Sequence, residues 1–114
     1  MTLEQRANPI KTVRQDGQTL LVAMEGEIDL NNSPVMHTTL SDLVARHRPS
    51  RVVLDVSRVP YMDSSAVAVL VEIMRRVGRG NVVLLSPQPR VRGLLEIARL
   101  DTIFRIAASE QEIR

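Results

Sequence analysis

Residues 51–77 read RVVLDVSRVPYMDSSAVAVLVEIMRRV, and they decide the fold because they join the most strand-like segment of the chain to its most helix-like one. Residues 51–56 form an apolar, β-branched run of strand length. Residues 65–77 carry a helical pattern of apolar residues with no Pro or Gly among them. The polar segment between the two runs, Met62-Asp63-Ser64-Ser65, is therefore predicted to lie where a loop meets a helix N-terminus.

The segment before this one predicts a β-hairpin and then a helix. Two apolar runs, residues 10–14 and 19–24, flank Gln15-Asp16-Gly17-Gln18, and Asp-Gly between two such runs is a hairpin signal. The sequence Asn31-Asn32-Ser33-Pro34 then offers an N-cap followed by a proline suited to the first helical turn. A first helix should follow and should end before Pro49.

The segment after residue 77 continues the alternation of helices and strands. Gly78 and Gly80 should end the central helix, residues 81–85 form a strand pattern, residues 87–98 form a helical one and residues 103–106 form a last short strand. This alternation predicts an α/β fold with a mixed, mostly parallel sheet of four to five strands. The core of the strand after Pro49 lacks period-two alternation, so we expect it to be buried on both faces.

Length and composition are those of one domain. A chain of 114 residues with 44% hydrophobic residues can build a real core, and residues 1–9 are polar enough to be a flexible lead-in. Cysteine is absent, and no apolar run approaches the roughly 20 residues of a membrane span. We therefore expect a cytoplasmic protein without disulfides or a membrane-spanning segment.

The charge balance does not favour nucleic-acid binding. Fifteen basic residues against 13 acidic ones leave a net charge of +2, and the basic residues are dispersed along the chain. We therefore expect no direct contact with nucleic acid.

Patterns for catalysis, metals and cofactors were not found. The five glycines fit neither phosphate-loop pattern, and no GxSxG elbow accompanies the serines. His37 and His47 lie ten residues apart, too far to share a metal from one helical turn, and are expected to be surface or helix-end residues. We therefore predict that the protein is not an enzyme and binds neither a cofactor nor a metal.

Asp63 or Ser64 is expected to cap the central helix by accepting a hydrogen bond from a first-turn N–H. A serine at this point is also well placed for modification, because residues 66–71 after it carry no charge. Both roles are compatible, and Ser65 offers a second hydroxyl on the same turn.

The segment from Val53 to Leu70, VLDVSRVPYMDSSAVAVL, strongly resembles the signature of STAS domains, and specifically of bacterial anti-sigma factor antagonists. Gly26-Glu27-Ile28-Asp29 resembles the Gly-Glu-[Leu/Ile]-Asp that follows the second strand in that family. Residues 86–101 resemble its third-helix segment. The resemblance implies a single STAS domain over residues 1–114, with helices packed mainly on one side of the sheet.

The resemblance also implies a function. Members of that family bind an anti-sigma factor that is a serine kinase and thereby release a sigma factor. The kinase phosphorylates the serine that follows the aspartate, here Ser64 with Ser65 as the alternative, and a PP2C-type phosphatase reverses the reaction. The chain itself is expected to be a monomer or weak dimer, and its implied partner-binding residues are Asp29, Asp63, Ser64, Ser65, Ala66, Val67 and Ala68.

Two residues depart from the family pattern. The family usually has Gly at the position of Ala66 and often at that of Ala68, so each alanine is expected to add a methyl to the surface that a partner approaches. The alternative function keeps the fold without the switch, as a STAS subunit of a lipid-transport ABC complex or of a stress-signalling scaffold.

Overall fold

The structure, a computed structural model, describes residues 8–113, which form five strands and three α-helices. The elements in chain order are β1 (Ile10–Asp16), β2 (Thr19–Glu25), α1 (Ser33–His47), β3 (Arg51–Arg58), α2 (Ser64–Val77), β4 (Val82–Leu85), α3 (Pro89–Ile97) and β5 (Arg105–Ala107). Short 3₁₀ turns follow α3 at Leu100–Thr102 and β5 at Glu110–Ile113. The predicted lead-in covers residues 1–9, of which residues 1–7 lie outside the described residues. Asn8 and Pro9 hydrogen-bond to Thr39 and Glu25.

The strands lie in the order β1-β2-β3-β4-β5. The first pair is the predicted antiparallel hairpin, turned by Gly17 at φ +61°, and the other three pairs are parallel. The predicted mixed, mostly parallel α/β sheet is confirmed. Each helix connects one parallel strand to its next neighbour, always in the same direction across the sheet. Because such crossovers share the same handedness, all three helices lie on the same face of the sheet.

The face that packs against the helices carries the main core. Alternate residues of three neighbouring strands supply it, with register partners such as Val22 and Leu54 or Leu54 and Leu84 side by side. From the helices, buried side chains such as Met36, Leu70 and Leu95 pack on this layer.

The opposite face of the sheet carries a smaller apolar cluster. Val53, Val83 and Leu85 are buried there, and Ile113 from the last 3₁₀ turn packs onto them. Burial of neighbouring residues on both faces explains why β3 and β4 show no alternation in sequence. The chain after Ser109, which starts like a capped helix in sequence, forms this 3₁₀ turn, with Glu112 accepting hydrogen bonds from the N–H groups of Ala108 and Ser109.

None of the helices within residues 8–113 is both long enough and apolar enough to cross a membrane.

Candidate functional site

Three loops meet at the carboxyl ends of β2, β3 and β4, the edge of a parallel sheet where binding sites commonly form. The first loop runs from Gly26 to Asn32, the second from Val59 to Asp63 and the third from Ser86 to Gln88. Gly26 begins the first loop at φ +89°, which a side chain would strain, and its N–H donates to Arg58 O at 3.0 Å. The Gln88 side chain ties the third loop to Ser57 O at 2.9 Å.

The first two loops are joined by one parallel β-bridge between Ile28 and Met62. The Ile28 N–H donates to Tyr61 O at 3.0 Å, and the Asp63 N–H donates to Ile28 O at 3.1 Å. Both bridged side chains are buried. The bridge therefore fixes Asp29, the residue after Ile28, beside the segment that carries Asp63 and Ser64.

Asp29 organises the start of α1. Its backbone oxygen accepts from the N–H groups of Asn32 and Ser33 at 3.2 and 2.8 Å. One carboxylate oxygen accepts from the Asn31 N–H at 2.9 Å, and the Asn32 side chain returns the contact by accepting from the Asp29 N–H at 2.8 Å. Asp29 is thus a half-buried loop residue held by its own neighbours.

Asp63, rather than Ser64, is the N-cap of α2. Its Oδ1 accepts from the N–H groups of Ser65 and Ala66 at 2.9 and 3.3 Å. The hydrogen bond from the Ser65 side chain, assisted by those from the N–H groups of Ala66, Ser65 and Leu30, holds the pKa of this carboxyl below its ordinary value, although desolvation acts in the opposite direction. Asp63 therefore stays ionised at the positive end of the helix dipole.

The Ser65 hydroxyl is already committed to two hydrogen bonds. It donates to Asp63 Oδ1 at 2.5 Å and accepts from the Ser33 hydroxyl at 2.9 Å. Ser33 begins α1 and is buried. These hydrogen bonds join the N-termini of α1 and α2. They were not predicted from the sequence, because the two serines lie 32 residues apart.

The Ser64 hydroxyl, in contrast, makes no hydrogen bond to any residue of the described chain, and Ser64 is exposed as the first residue of α2. Ala68 lies one turn further along the same face and is also exposed. Together they form a small, uncharged surface beside Asp63.

The expectation that Ala66 adds a methyl to that surface is wrong. Ala66 has no exposed area and faces the core of the domain. The reason is helical geometry: Asp63 starts the helix so that residues 66, 69, 70 and 73 share the inner face. Val67 is half-buried against the same core, so Ala68 is the one of the two alanines with an accessible methyl.

An open groove of about 560 Å³ runs from Ser64 to α3. Its lining residues are Tyr61, Met62, Asp63, Ser64, Pro89, Arg90, Gly93, Leu94 and Ile97. The Arg90 guanidinium carbon lies 4.8 Å from the centre of the Tyr61 ring, and Ile97 is 85% exposed. Leu30, next to Asp29 in the first loop, is 73% exposed.

Arg90, Ile97 and Leu30 were not predicted as site residues. Ile97 could have been found from the sequence, because it does not share the helical face on which Val91 and Leu95 are buried. An apolar residue outside the buried face must face solvent or a partner. Arg90 could not have been found, since its contact with Tyr61 depends on how α3 packs.

The two histidines lie away from this site. His37 Nε2 is 2.9 Å from Glu72 Oε2, between α1 and α2. Within residues 8–113 no three His, Cys, Asp or Glu side chains are grouped to hold a metal ion.

Comparison with known proteins identifies relatives of this chain. The model of the STAS domain family matches residues 10–113. The anti-sigma-B factor antagonist of Bacillus subtilis (strain 168) is 31% identical over 102 residues, covering 87% of this chain and 91% of that protein. The putative sulfate transporter YvdB of the same organism is 32% identical over 90 residues, which cover 75% of this chain but 17% of the transporter.

Solved structures show the same fold. The Bacillus anti-sigma factor antagonist SpoIIAA superimposes with a TM-score of 0.67 in its unphosphorylated form, at 19% identity, over 90% of this chain and 91% of that one. Its phosphorylated form gives a TM-score of 0.68 at 22% identity, over 90% of this chain and 94% of that one.

Proposed function

Because the chain belongs to the STAS domain family, we propose that it is an anti-sigma factor antagonist whose unphosphorylated form binds an anti-sigma factor serine kinase and releases the sigma factor. Phosphorylation of Ser64 switches this binding off. The chain is then a binding module and a kinase substrate rather than an enzyme, acting in the cytoplasm. The anti-sigma factor antagonists among its relatives support this assignment.

The observation that carries the proposal is the contrast between the two serines at the start of α2. An incoming phosphate donor needs an exposed hydroxyl, and Ser64 is exposed with no hydrogen bond to the described residues. The Ser65 hydroxyl would first have to break its bonds with Asp63 and Ser33. Ser64 is therefore the substrate hydroxyl.

The transfer itself follows ordinary phosphoryl chemistry. The Ser64 oxygen forms a bond to the γ-phosphorus of ATP as the bond to ADP breaks, and the hydroxyl proton passes to a base on the kinase. Asp63 is a poor candidate for that base, because its low pKa and its existing hydrogen bonds oppose taking up a proton. A PP2C-type phosphatase reverses the modification when water attacks the phosphorus, the bond from phosphorus to the Ser64 oxygen breaks, and the serine hydroxyl and inorganic phosphate are released.

The added charge explains how binding is lost while the fold is kept. Phosphate brings about −1.5 to −2 charges, and the N-terminus of α2 tolerates an anion through its dipole. A partner that covers Ser64 and Ala68 would have to desolvate this charge beside Asp63 and Asp29. A penalty of about 3 kcal/mol weakens binding roughly a hundredfold.

The partner surface in this proposal centres on Ser64 and Ala68. Asp29 and Asp63 border it as acidic residues, while exposed Leu30 and Ile97 offer apolar area. Ser65, Ala66 and Val67 support it from below through hydrogen bonds and core packing rather than by direct contact.

The deciding experiment is incubation of the full chain with ATP and the candidate anti-sigma kinase, followed by intact mass measurement. Wild type and Ser65→Ala should gain one phosphate and Ser64→Ala none. A Ser65→Ala protein that stays unmodified while Ser64→Ala is phosphorylated would move the site to Ser65. A wild type that remains unphosphorylated with every candidate kinase would end the proposal.

The second candidate function is a STAS domain that serves another assembly without a switch, and the match to a putative sulfate transporter favours it. The chain spans a small part of that transporter's length, so this match supports the domain and not a transport activity. Co-purification with a membrane permease or its ATPase, unaffected by a Ser64→Ala substitution, would favour the second function over the first.

A further inference from the structure

Two helix N-termini face one groove. Helix α2 begins at Ser64 and α3 begins at Pro89, and neither has an acidic residue in its first turn. Residues from both starts line the groove, in which Asp63 and Arg90 are the charged lining residues. The starts of both helices therefore border the groove that Ser64 lines.

Arg90 occupies an unfavourable position in this groove. A cation in the first turn of a helix is opposed by the helix dipole, and Arg90 takes part in none of the ion pairs formed within residues 8–113. Its guanidinium rests instead over the Tyr61 ring, 4.8 Å from the ring centre. Arg92, on the same helix, is paired with Glu96 at 3.8 Å.

We infer that Arg90 is the counter-ion of phosphorylated Ser64. This inference rests on the proposed function, since it concerns the same hydroxyl. Phosphate offers the guanidinium paired, charge-assisted hydrogen bonds, which are stronger than an exposed contact with an aromatic face. On phosphorylation the Arg90 side chain leaves Tyr61 and binds the phosphate from the α3 side of the groove.

The pairing has a consequence for the partner surface. A bond between Arg90 on α3 and the phosphate on α2 would lie in the same groove that Leu94 and Ile97 line. Phosphorylation then does more than add charge, because it also restricts access to apolar area that a partner would bury.

The test uses the full chain with phosphoserine placed at position 64 during translation, so that it does not depend on any kinase. A ³¹P NMR pH titration measures the second acid dissociation of the phosphate in wild type, Arg90→Gln and the control Arg92→Gln. Loss of the Arg90 charge should lower that dissociation constant about threefold, as expected for one exposed ion pair. Arg92→Gln should leave it unchanged.

A second readout follows the contact with Tyr61 that the Arg90 guanidinium would leave. Tyr61 is the one tyrosine of the chain and tryptophan is absent, so tyrosine fluorescence and ring-proton shifts report on the surroundings of Tyr61 alone. Phosphoserine at position 64 should shift these signals in wild type and much less in Arg90→Gln. Identical titration midpoints in wild type and Arg90→Gln, or Tyr61 signals that ignore the phosphate, would overturn the inference while leaving the switch itself intact.

Discussion

The Ser33 hydroxyl donates a hydrogen bond to the Ser65 hydroxyl at 2.9 Å, joining the first residue of α1 to the second residue of α2. The Ser65 hydroxyl in turn donates a hydrogen bond to the N-cap residue Asp63. Two neighbouring serines of one sequence motif thus differ, since the Ser65 hydroxyl is held by two hydrogen bonds and Ser64 is exposed with none to the described residues.

Removing this link should destabilise the domain. Ser33→Ala takes away a buried donor, and we expect the free energy of unfolding to fall by about 1 kcal/mol. Urea unfolding measures it as a shift of the midpoint at constant slope. Thr38→Ala on the same helix is the control, because Thr38 is exposed and bonds only to Pro34 O at 3.1 Å. Equal losses in the two variants would show that the link contributes nothing.

The cap should make stability depend on pH. Because the pKa of Asp63 is lowered on folding, its ionised form stabilises the fold above the pKa of the unfolded chain, about 4, and this stabilisation disappears as the pH falls through the folded value. Asp63→Asn keeps a capping side chain but loses the charge. Wild type should therefore be more stable than Asp63→Asn at pH 7 and should lose this advantage towards pH 3.

Urea unfolding at both pH values checks the cap prediction. Asp101→Asn is its control, because the Asp101 carboxylate accepts no hydrogen bond from the described residues. A difference between wild type and Asp63→Asn that stays constant down to pH 3 would contradict it.

Ile97 should matter for binding and not for folding. It is 85% exposed, so Ile97→Ser should leave the free energy of unfolding within about 0.5 kcal/mol of wild type. Burial of its side chain against the anti-sigma kinase would contribute about 1.5 kcal/mol, so affinity measured by calorimetry should fall about tenfold. Val13→Ser, on edge strand β1 and 43% exposed, should bind normally. Comparable affinities for the two variants would place the partner elsewhere.

The two alanines of α2 should respond in opposite ways. Ala68→Leu adds bulk to an exposed position, so stability should be unchanged while kinase affinity falls about tenfold or more. Ala66→Gly should cost about 1 kcal/mol of stability, because it removes a fully buried methyl group in the first turn of α2, and should leave the affinity of the folded protein unchanged. Ala45→Leu, exposed near the end of α1, controls for added bulk. An Ala68→Leu protein that binds like wild type would contradict the proposed surface.

Much of the fold could be predicted because local patterns decided it. The lack of alternation at the core of residues 52–56 indicated a strand covered on both faces, and Val53 and Leu54 indeed lie in clusters on opposite sides of the sheet. The capped start of α2 was also predicted, although the sequence did not decide whether Asp63 or Ser64 is the capping residue. Spacing places a residue on a helix but does not fix which hydroxyl or carboxylate reaches the first-turn N–H groups.

The parts of the site that depend on tertiary packing could not be predicted. The orientation of Ala66 depends on which face of α2 meets the sheet, and the Ser33–Ser65 bond depends on how α1 and α2 approach each other. Ala98 fits the apolar spacing of α3 but is exposed, because the helix ends at Ile97 and the chain turns away.

The bridge between Ile28 and Met62 makes the two acidic loops one cooperative unit. The amides of Ile28 and Asp63 lie outside the named strands, yet both donate across this bridge. Their exchange with solvent deuterium should therefore be slow and concerted, because neither loop can open without releasing the other. A partner that orders the loop carrying Asp29 would in the same event restrict the motion of the segment leading to Ser64.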